Sequence, residues 1–408
     1  MTSGTRHALQ LLLAIILASS ILYVHLFVPG RGNGADFAVF YAAAVTDAHG
    51  GDPYLAVDTW RTQRALFYPP GYSGPPHPDT NRNPPPFTLL LRPLTELTQG
   101  QAYWVWVALG WLAGLLGTFC LMAAWPVAPR CLAAMAISLS PAALWNIRVG
   151  QVSMFLALSL GLAVFFLVRG RPGWAGVALS LGLVKPHLIL PLALVLVLAA
   201  SRGQRRPLVQ GLVGGAVGWA IFTQLFDGGI IRYVQWLQGL GGSDNAFVNQ
   251  ADLAAIPGLL YKVFPTNVSV ILTSLGVVLA CFMLGRLALA AWSGGPWEQR
   301  RLLGAGISLC FAFLPYEHTS DQILLALPLL LLIGPDGAGL RQWPARIAAF
   351  CFVLTPLALF HDHTIEGFNV LPAVSLLLAY AVIRPSGLPG PNPLAPILAQ
   401  RPALALAE

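Results

Sequence analysis

Apolar stretches of membrane-crossing type recur along nearly the whole chain, and no other feature restricts its fold as tightly. The first covers 9–28. Others follow near 104–126, 131–145, 152–168, 174–184, 188–200, 208–226, 266–292, 302–315, 322–334, 346–360 and 368–383. A bilayer core of about 30 Å is crossed by roughly 20 apolar residues in a helix, and a helix satisfies its backbone polar groups without water. Only 10% of the 408 residues are charged and 56% are hydrophobic, against about 25% charged in a soluble domain. An ordinary soluble globular protein, a disordered chain and a coiled coil are excluded. The expected fold class is an all-α polytopic membrane protein with ten to twelve transmembrane helices. The count is a range because several runs are short and because two of them meet at Lys185-Pro186-His187, where one broken helix is the alternative.

Charge placement predicts the topology. In a twelve-span arrangement the odd-numbered connections and adjoining helix ends hold thirteen of the sixteen acids, from Asp36 and Asp47 to Glu317, Asp321 and Glu366. The opposite side collects Arg6, Arg130, Arg169, Arg171, Arg202, Arg205, Arg206, Arg300, Arg301, Arg341, Arg346, Arg384 and Arg401. Short loops rich in arginine mark the cytoplasmic face. The chain is therefore expected in the cell membrane, multi-pass, with a cytoplasmic N-terminus. The first run reads as a retained helix rather than a cleaved signal peptide. The net charge of +7 reflects this anchoring, and no nucleic-acid partner is expected. Residues 1–384 read as a single transmembrane domain with a long first extracytoplasmic loop, 29–103; residues 385–408 form a Pro/Ala-rich cytoplasmic tail. None of the five cysteines falls in an outer loop, so no disulfide framework is expected.

Seven of the eight histidines, His187 and His318 among them, fall on or beside the acidic outer face, which places any chemistry there. The first loop carries Asp36 directly before an aromatic, small-residue helix. Gly51-Asp52-Pro53-Tyr54, Tyr68-Pro69-Pro70 and Asn83-Pro84-Pro85-Pro86-Phe87 follow. Its prolines make it stiff and interrupt any continuous helix. Asp36 can serve as a general base for an incoming hydroxyl or as an N-cap for the helix behind it. Asp52 reads first as a turn residue. Arg82, Arg148 and Lys185 are cations on an otherwise acidic face, suited to a lipid phosphate or to snorkelling toward headgroups. Glu317-His318-Thr-Ser-Asp321 closes one apolar run and opens the next, and ionisable groups at that depth are functional candidates. His361-Asp362-His363 lacks the spacing and companions of a metal site, so no metal is expected. No Walker motif, dinucleotide fingerprint or Gly-x-Ser-x-Gly elbow occurs.

In their order along the chain, Asp36-Phe37 with Tyr41-Ala-Ala, Gly51-Asp-Pro-Tyr54, Pro84-Pro-Pro-Phe87, Gly150-Gln151, Lys185-Pro186 and Asn249-Gln250 resemble glycosyltransferase family 87. The resemblance runs from Asp36 to about His318. It implies a GT-C-type membrane fold and an activity like that of polyprenyl-phosphomannose-dependent mannosyltransferases that build phosphatidylinositol mannosides. A lipid-linked sugar donor, no nucleotide sugar, no cofactor and an acid in the first outer loop acting as base, here Asp36, are implied with it. Tyr316-Glu-His-Thr-Ser-Asp321 is more polar than the versions expected in some members, which leaves the acceptor open.

The chemistry is consistent with that resemblance. A polyprenyl-phosphate sugar needs a membrane groove for its tail and cations for its head. Its phosphate is already a good leaving group, so a base for the acceptor is the main requirement and basic side chains can meet the developing charge. In-line attack inverts the anomeric centre. The expected function is inverting transfer of a sugar, mannose first, to a glycolipid or polysaccharide hydroxyl in cell-envelope synthesis. Asp36 is the base, Arg82, Arg148 and Lys185 bind donor phosphate, and Asp52, Tyr54, Gln151, His187, Glu317, His318 and Asp321 bind substrate. Besides membrane lipids, donor and acceptor are the partners expected. A transporter or lipid flippase is the alternative; it predicts ionisable residues midway through spans and pseudo-symmetric halves, whereas nearly all the acids here sit at span ends. A non-catalytic scaffold is a third reading.

Overall fold

The computed structural model describes residues 34–68, 83–227, 229–239, 256–293, 296–313, 319–333, 346–347 and 349. Among them the regular structure is helical throughout. In chain order the helices are α1 (Ala35–Ala48), α2 (Ala56–Phe67), α3 (Pro85–Leu91), α4 (Gln99–Leu121), α5 (Val127–Ser138), α6 (Pro141–Val149), α7 (Ser153–Val168) and α8 (Pro172–Leu181). They continue with α9 (Pro186–Ala199), α10 (Arg202–Asp227), α11 (Gly229–Gly239), α12 (Ile256–Val263), α13 (Thr266–Ser293), α14 (Pro296–Phe313) and α15 (Ala326–Ile333). Three 3₁₀ turns, Arg92–Glu96, Gly182–Val184 and Thr319–Leu325, join or precede them.

Three of these helices are long and apolar enough to cross a bilayer: Gln99–Leu121, Arg202–Leu225 within α10, and Thr266–Trp292 within α13. A fourth is added if α5 and α6, bent by 50° at their junction, make one span. The described residues thus reach fewer spans than the ten to twelve expected; the first run and the last lie outside them, and the run near 346–360 is described only at 346–347 and 349. Prolines account for the shortfall elsewhere. Pro141, Pro172 and Pro186 each open a new helix at its first turn, where the missing N–H costs nothing. The apolar run near 131–145 is therefore divided at Pro141, and those near 174–184 and 188–200 stay separate helices, each shorter than a span. At the first of these breaks the Ser140 hydroxyl accepts the Ala143 N–H at 3.3 Å and restarts the backbone ladder as α6.

Helices in lipid gain little from apolar contact alone, so close approach depends on small residues. α4 crosses α7 at Gly117, where an added Cβ would stand 2.6 Å from the Ala157 backbone, and a Cβ on Gly161 would fall inside the Gly117 carbonyl. α8 meets α10 at Gly176 and Gly211 in the same manner. Apolar side chains on the outer faces of α10 and α13, such as Leu225, Val278 and Phe282, are exposed, as expected of a membrane protein whose lipid is its solvent.

The described residues ahead of α4 are helical in three short pieces. α1 is alanine-rich and stops at His49-Gly50, where Gly50 takes φ +78°. The Gly-Asp-Pro-Tyr stretch turns the chain into α2. The proline run starts α3, with Pro85 and Pro86 in its first turn. α3 and the 3₁₀ turn after it pack against α1, so this segment forms a small platform leading into α4.

Candidate active site

The start of α1 and the end of α6 are built as a matched pair. Gly34 precedes α1 with φ +74°, and Gly150 follows α6 with φ +80°. Both take the left-handed conformation that only glycine adopts without strain. The Gly34 N–H donates to the Arg148 carbonyl at 2.7 Å. The Tyr103 hydroxyl donates to the same carbonyl at 3.2 Å, and the Trp106 indole N–H donates to the Gly150 carbonyl at 2.9 Å. Phe37 fills the space between them, fully buried, with the rings of Tyr41, Tyr103 and Trp106 each within 6 Å between centroids. Two polar residues are fixed by this aromatic cage: Asp36, one position before Phe37, and Gln151, one position after Gly150.

Asp36 is the second residue of α1. The N-cap is Gly34, and no side chain caps this helix, so the capping alternative for Asp36 does not apply. Its carboxylate instead accepts from the Gln151 amide, Nε2 to Oδ2 at 2.9 Å. Gln151 turns its Oε1 toward the Lys185 ammonium at 3.5 Å. Lys185 lies in the break between the 3₁₀ turn Gly182–Val184 and α9, in neither helix. It is 5% exposed and pairs with Asp321 Oδ1 at 2.6 Å. Asp321, fully buried, also accepts from the Ser153 hydroxyl in the first turn of α7. A continuous polar chain, Asp36–Gln151–Lys185–Asp321–Ser153, thus joins four separate stretches of sequence. A buried ion pair is tolerated only where its charges are matched and hydrogen-bonded, as they are here. Asp36 and Gln151 remain half-exposed, so the chain runs from a sealed interior to an accessible carboxylate.

Four of the expected residues, Asp36, Gln151, Lys185 and Asp321, are therefore brought together. Arg148 is adjacent through its backbone; its guanidinium stands 5.7 Å from the centre of the Trp145 ring. His187 is exposed in the first turn of α9. Asp52 has the turn geometry read from the sequence: its Oδ1 accepts the Tyr54 N–H at 2.9 Å, and its own N–H donates to Asp58 at 3.0 Å. Tyr54 is buried, its hydroxyl donating to the Asn83 carbonyl at 3.0 Å and its ring against Tyr233 and Trp236 of α11. Arg82, Glu317 and His318 lie outside the described residues, as do Asn249-Gln250 and His361-Asp362-His363. Sequence reasoning missed Ser153, Tyr103 and Trp106. Ser153, two residues past Gln151 in a helix's first turn, was the one with a local signal. Two open grooves among the described residues lie elsewhere, one of about 510 Å³ beside Arg171 and Trp174 and one of about 440 Å³ beside Arg92 and Glu96.

The arrangement presents an accessible carboxylate whose position is fixed by a neutral amide, with an ammonium one step behind it. That is suited to taking a proton from a hydroxyl while a cation stands near developing negative charge. No curated protein matches the chain. The family model for glycosyltransferase family 87 matches residues 82–316, a narrower stretch than the resemblance read from the sequence. It contains Gln151 and Lys185 and stops short of Asp36 and Asp321. It covers more than half of the 408 residues, and the chain belongs to glycosyltransferase family 87.

Proposed function

We propose that this glycosyltransferase moves a sugar, mannose in our reading, from a polyprenyl-phosphate donor to a hydroxyl of a glycolipid or polysaccharide, with inversion, on the extracytoplasmic side of the membrane. One observation carries this: the Asp36 carboxylate is not used to cap its own helix but is aimed at Gln151 and remains accessible at the end of a buried polar chain. A base so placed lowers the cost of deprotonating the acceptor, worth about 10²–10⁴-fold in rate. The leaving polyprenyl phosphate needs no proton, and its charge is met by cations. Arg148 and Lys185 stand on either side of Gln151 in the chain, and Arg82 is the third candidate. His187, Glu317 and His318, with Asp52 and Tyr54 in the first outer segment, remain candidates for holding donor sugar or acceptor. The side of the membrane follows from the arginine-rich short loops that mark the opposite face.

The test is direct. Purified protein in lipid vesicles is given labelled polyprenyl-phosphomannose and a native lipid extract. Transfer of label to a new lipid or polysaccharide species supports the proposal. Movement of intact donor across the bilayer without transfer points to the flippase alternative, and neither outcome leaves the scaffold reading.

A further inference from the structure

Resting on the proposed role of Asp36, we propose that the buried Lys185–Asp321 pair is a positioning device: Asp321 holds Lys185, and Lys185 acts with the Val152 N–H to hold the Gln151 amide with its NH₂ end turned to the catalytic carboxylate. A glutamine amide has one accepting and one donating end. Facing a carboxylate, only the NH₂ end is favourable; facing an ammonium, only the carbonyl end is. Gln151 stands between one of each, with Nε2 at 2.9 Å from Asp36 and Oε1 at 3.5 Å from Lys185. A flipped amide would turn its carbonyl toward Asp36 and its NH₂ toward Lys185, and both contacts would be repulsive. The Val152 N–H also donates to Oε1, at 3.4 Å, so the ammonium and this backbone donor together favour one setting of the amide.

Lys185 cannot hold that place unaided. It sits at a helix break with φ −137°, on a long flexible stem, and its charge is buried. Asp321 supplies the counter-charge at 2.6 Å and is itself fixed by Ser153 and full burial. Asp321 belongs to the 3₁₀ turn Thr319–Leu325, which packs on both α6 and α7, so its backbone follows the elements that carry Gln151 and Ser153. Neither Asp321 nor Lys185 has to touch the acceptor for this role. Arg148, Lys185 and Asp321 are charged groups brought to this end of α1, and His187 follows Lys185 in the first turn of α9. The Tyr41 and Tyr103 hydroxyls there are hydrogen-bonded to backbone carbonyls.

The test compares Asp321→Asn with the double variant Lys185→Met/Asp321→Leu in the full-length protein, with Asp36→Asn as reference. The single variant leaves a buried charge unpaired and is expected to lose both folded protein and turnover. The double variant removes both charges, so thermal stability should return to near the parent value while kcat stays about 10²-fold down. Recovery of kcat together with stability would show the pair to be structural only and overturn the proposal. A second readout needs no substrate: carbodiimide labelling of Asp36, followed by mass spectrometry across pH. A donor lost from a carboxylate favours its neutral form, so the labelling midpoint in the double variant should move up by about one to two pH units; an unmoved midpoint refutes the positioning role. If Asp36→Asn retains turnover, the proposed function fails. If Asp36→Asn is inactive and the double variant is fully active, only this inference fails.

Discussion

Replacing Gly150 by alanine tests whether the close contact at the start of α1 positions the site. At φ +80° an L-residue pays about 1–2 kcal/mol for the left-handed conformation. The added Cβ would also lie 2.5 Å from the Phe37 Cβ and 3.1 Å from the Phe37 backbone nitrogen. Carbon atoms prefer about 3.5–4.0 Å, so about 1 Å of separation must be found. Phe37 has little room to retreat, because Tyr41, Tyr103 and Trp106 surround it. Overpacking of this kind adds about 1–3 kcal/mol, for a total of about 2–5 kcal/mol. The displacement falls next to Asp36 and on the residue before Gln151, and a misplacement of about 1 Å at a reacting group costs about 10²-fold in rate. Gly50→Ala provides the control. Gly50 also has a positive φ, +78°, but no atom lies within 4 Å of its would-be Cβ, so it carries the conformational strain without the overlap. Thermal unfolding in detergent and transfer from labelled polyprenyl-phosphomannose are measured for both. Gly50→Ala should lose slight stability and keep its rate, while Gly150→Ala should lose more stability and about 10²-fold in rate. Equal behaviour of the two variants would refute the reasoning.

Other substitutions test the remaining links. Gln151→Glu sets a second carboxylate against Asp36; transfer should fall near neutral pH and partly recover as the pH is lowered and the pair shares a proton, read from the pH–rate profile. Asp321→Asn leaves the Lys185 ammonium buried without its counter-charge and should cost about 3–5 kcal/mol, read as a lower unfolding midpoint. Trp106→Phe keeps the ring against Phe37 but loses the 2.9 Å bond to the Gly150 carbonyl; about 0.5–1.5 kcal/mol of stability should go with it, seen in the same unfolding assay. Gly161→Ala drives a methyl into the Gly117 carbonyl at the α4–α7 crossing and should lower the yield of folded protein on size-exclusion chromatography far more than Gly203→Ala, whose Cβ would have nothing within 4 Å.

Much of the architecture was legible in the sequence for a simple reason. Long apolar runs with few charges have one solution in lipid, and the helices α4, α10 and α13 follow those runs closely. The proline at 141 was equally visible, yet the hydropathy reading ran one span across 131–145, where α5 ends and α6 begins; at Pro186 the break could be read from Lys185-Pro186-His187. Asp52 could be read as a turn residue because Asp-Pro-Tyr carries its own local geometry. Asp36 was legible only in part: its place ahead of a helix suggested an N-cap, and the decisive fact, that Gly34 occupies that position, depends on a left-handed backbone that Asn33-Gly34 hints at without fixing. The Lys185–Asp321 pair was not legible at all. The two residues are 136 positions apart, each at a break between helices, and only the packing of the Thr319–Leu325 turn on α6 and α7 brings them together. Tyr103 and Trp106 were hidden for a related reason. In a chain so rich in apolar side chains, aromatic residues that cage a site look the same as those that face lipid.

The base assigned to position 36 is tested most directly by Asp36→Asn, assayed for donor binding and for transfer in the same vesicles. The change keeps the side chain's size and one accepting oxygen for Gln151 while removing the negative charge and the ability to take a proton. Donor should bind with near-parental affinity while transfer falls by about 10²–10⁴-fold. Transfer at the parental rate by the asparagine variant would contradict the mechanism.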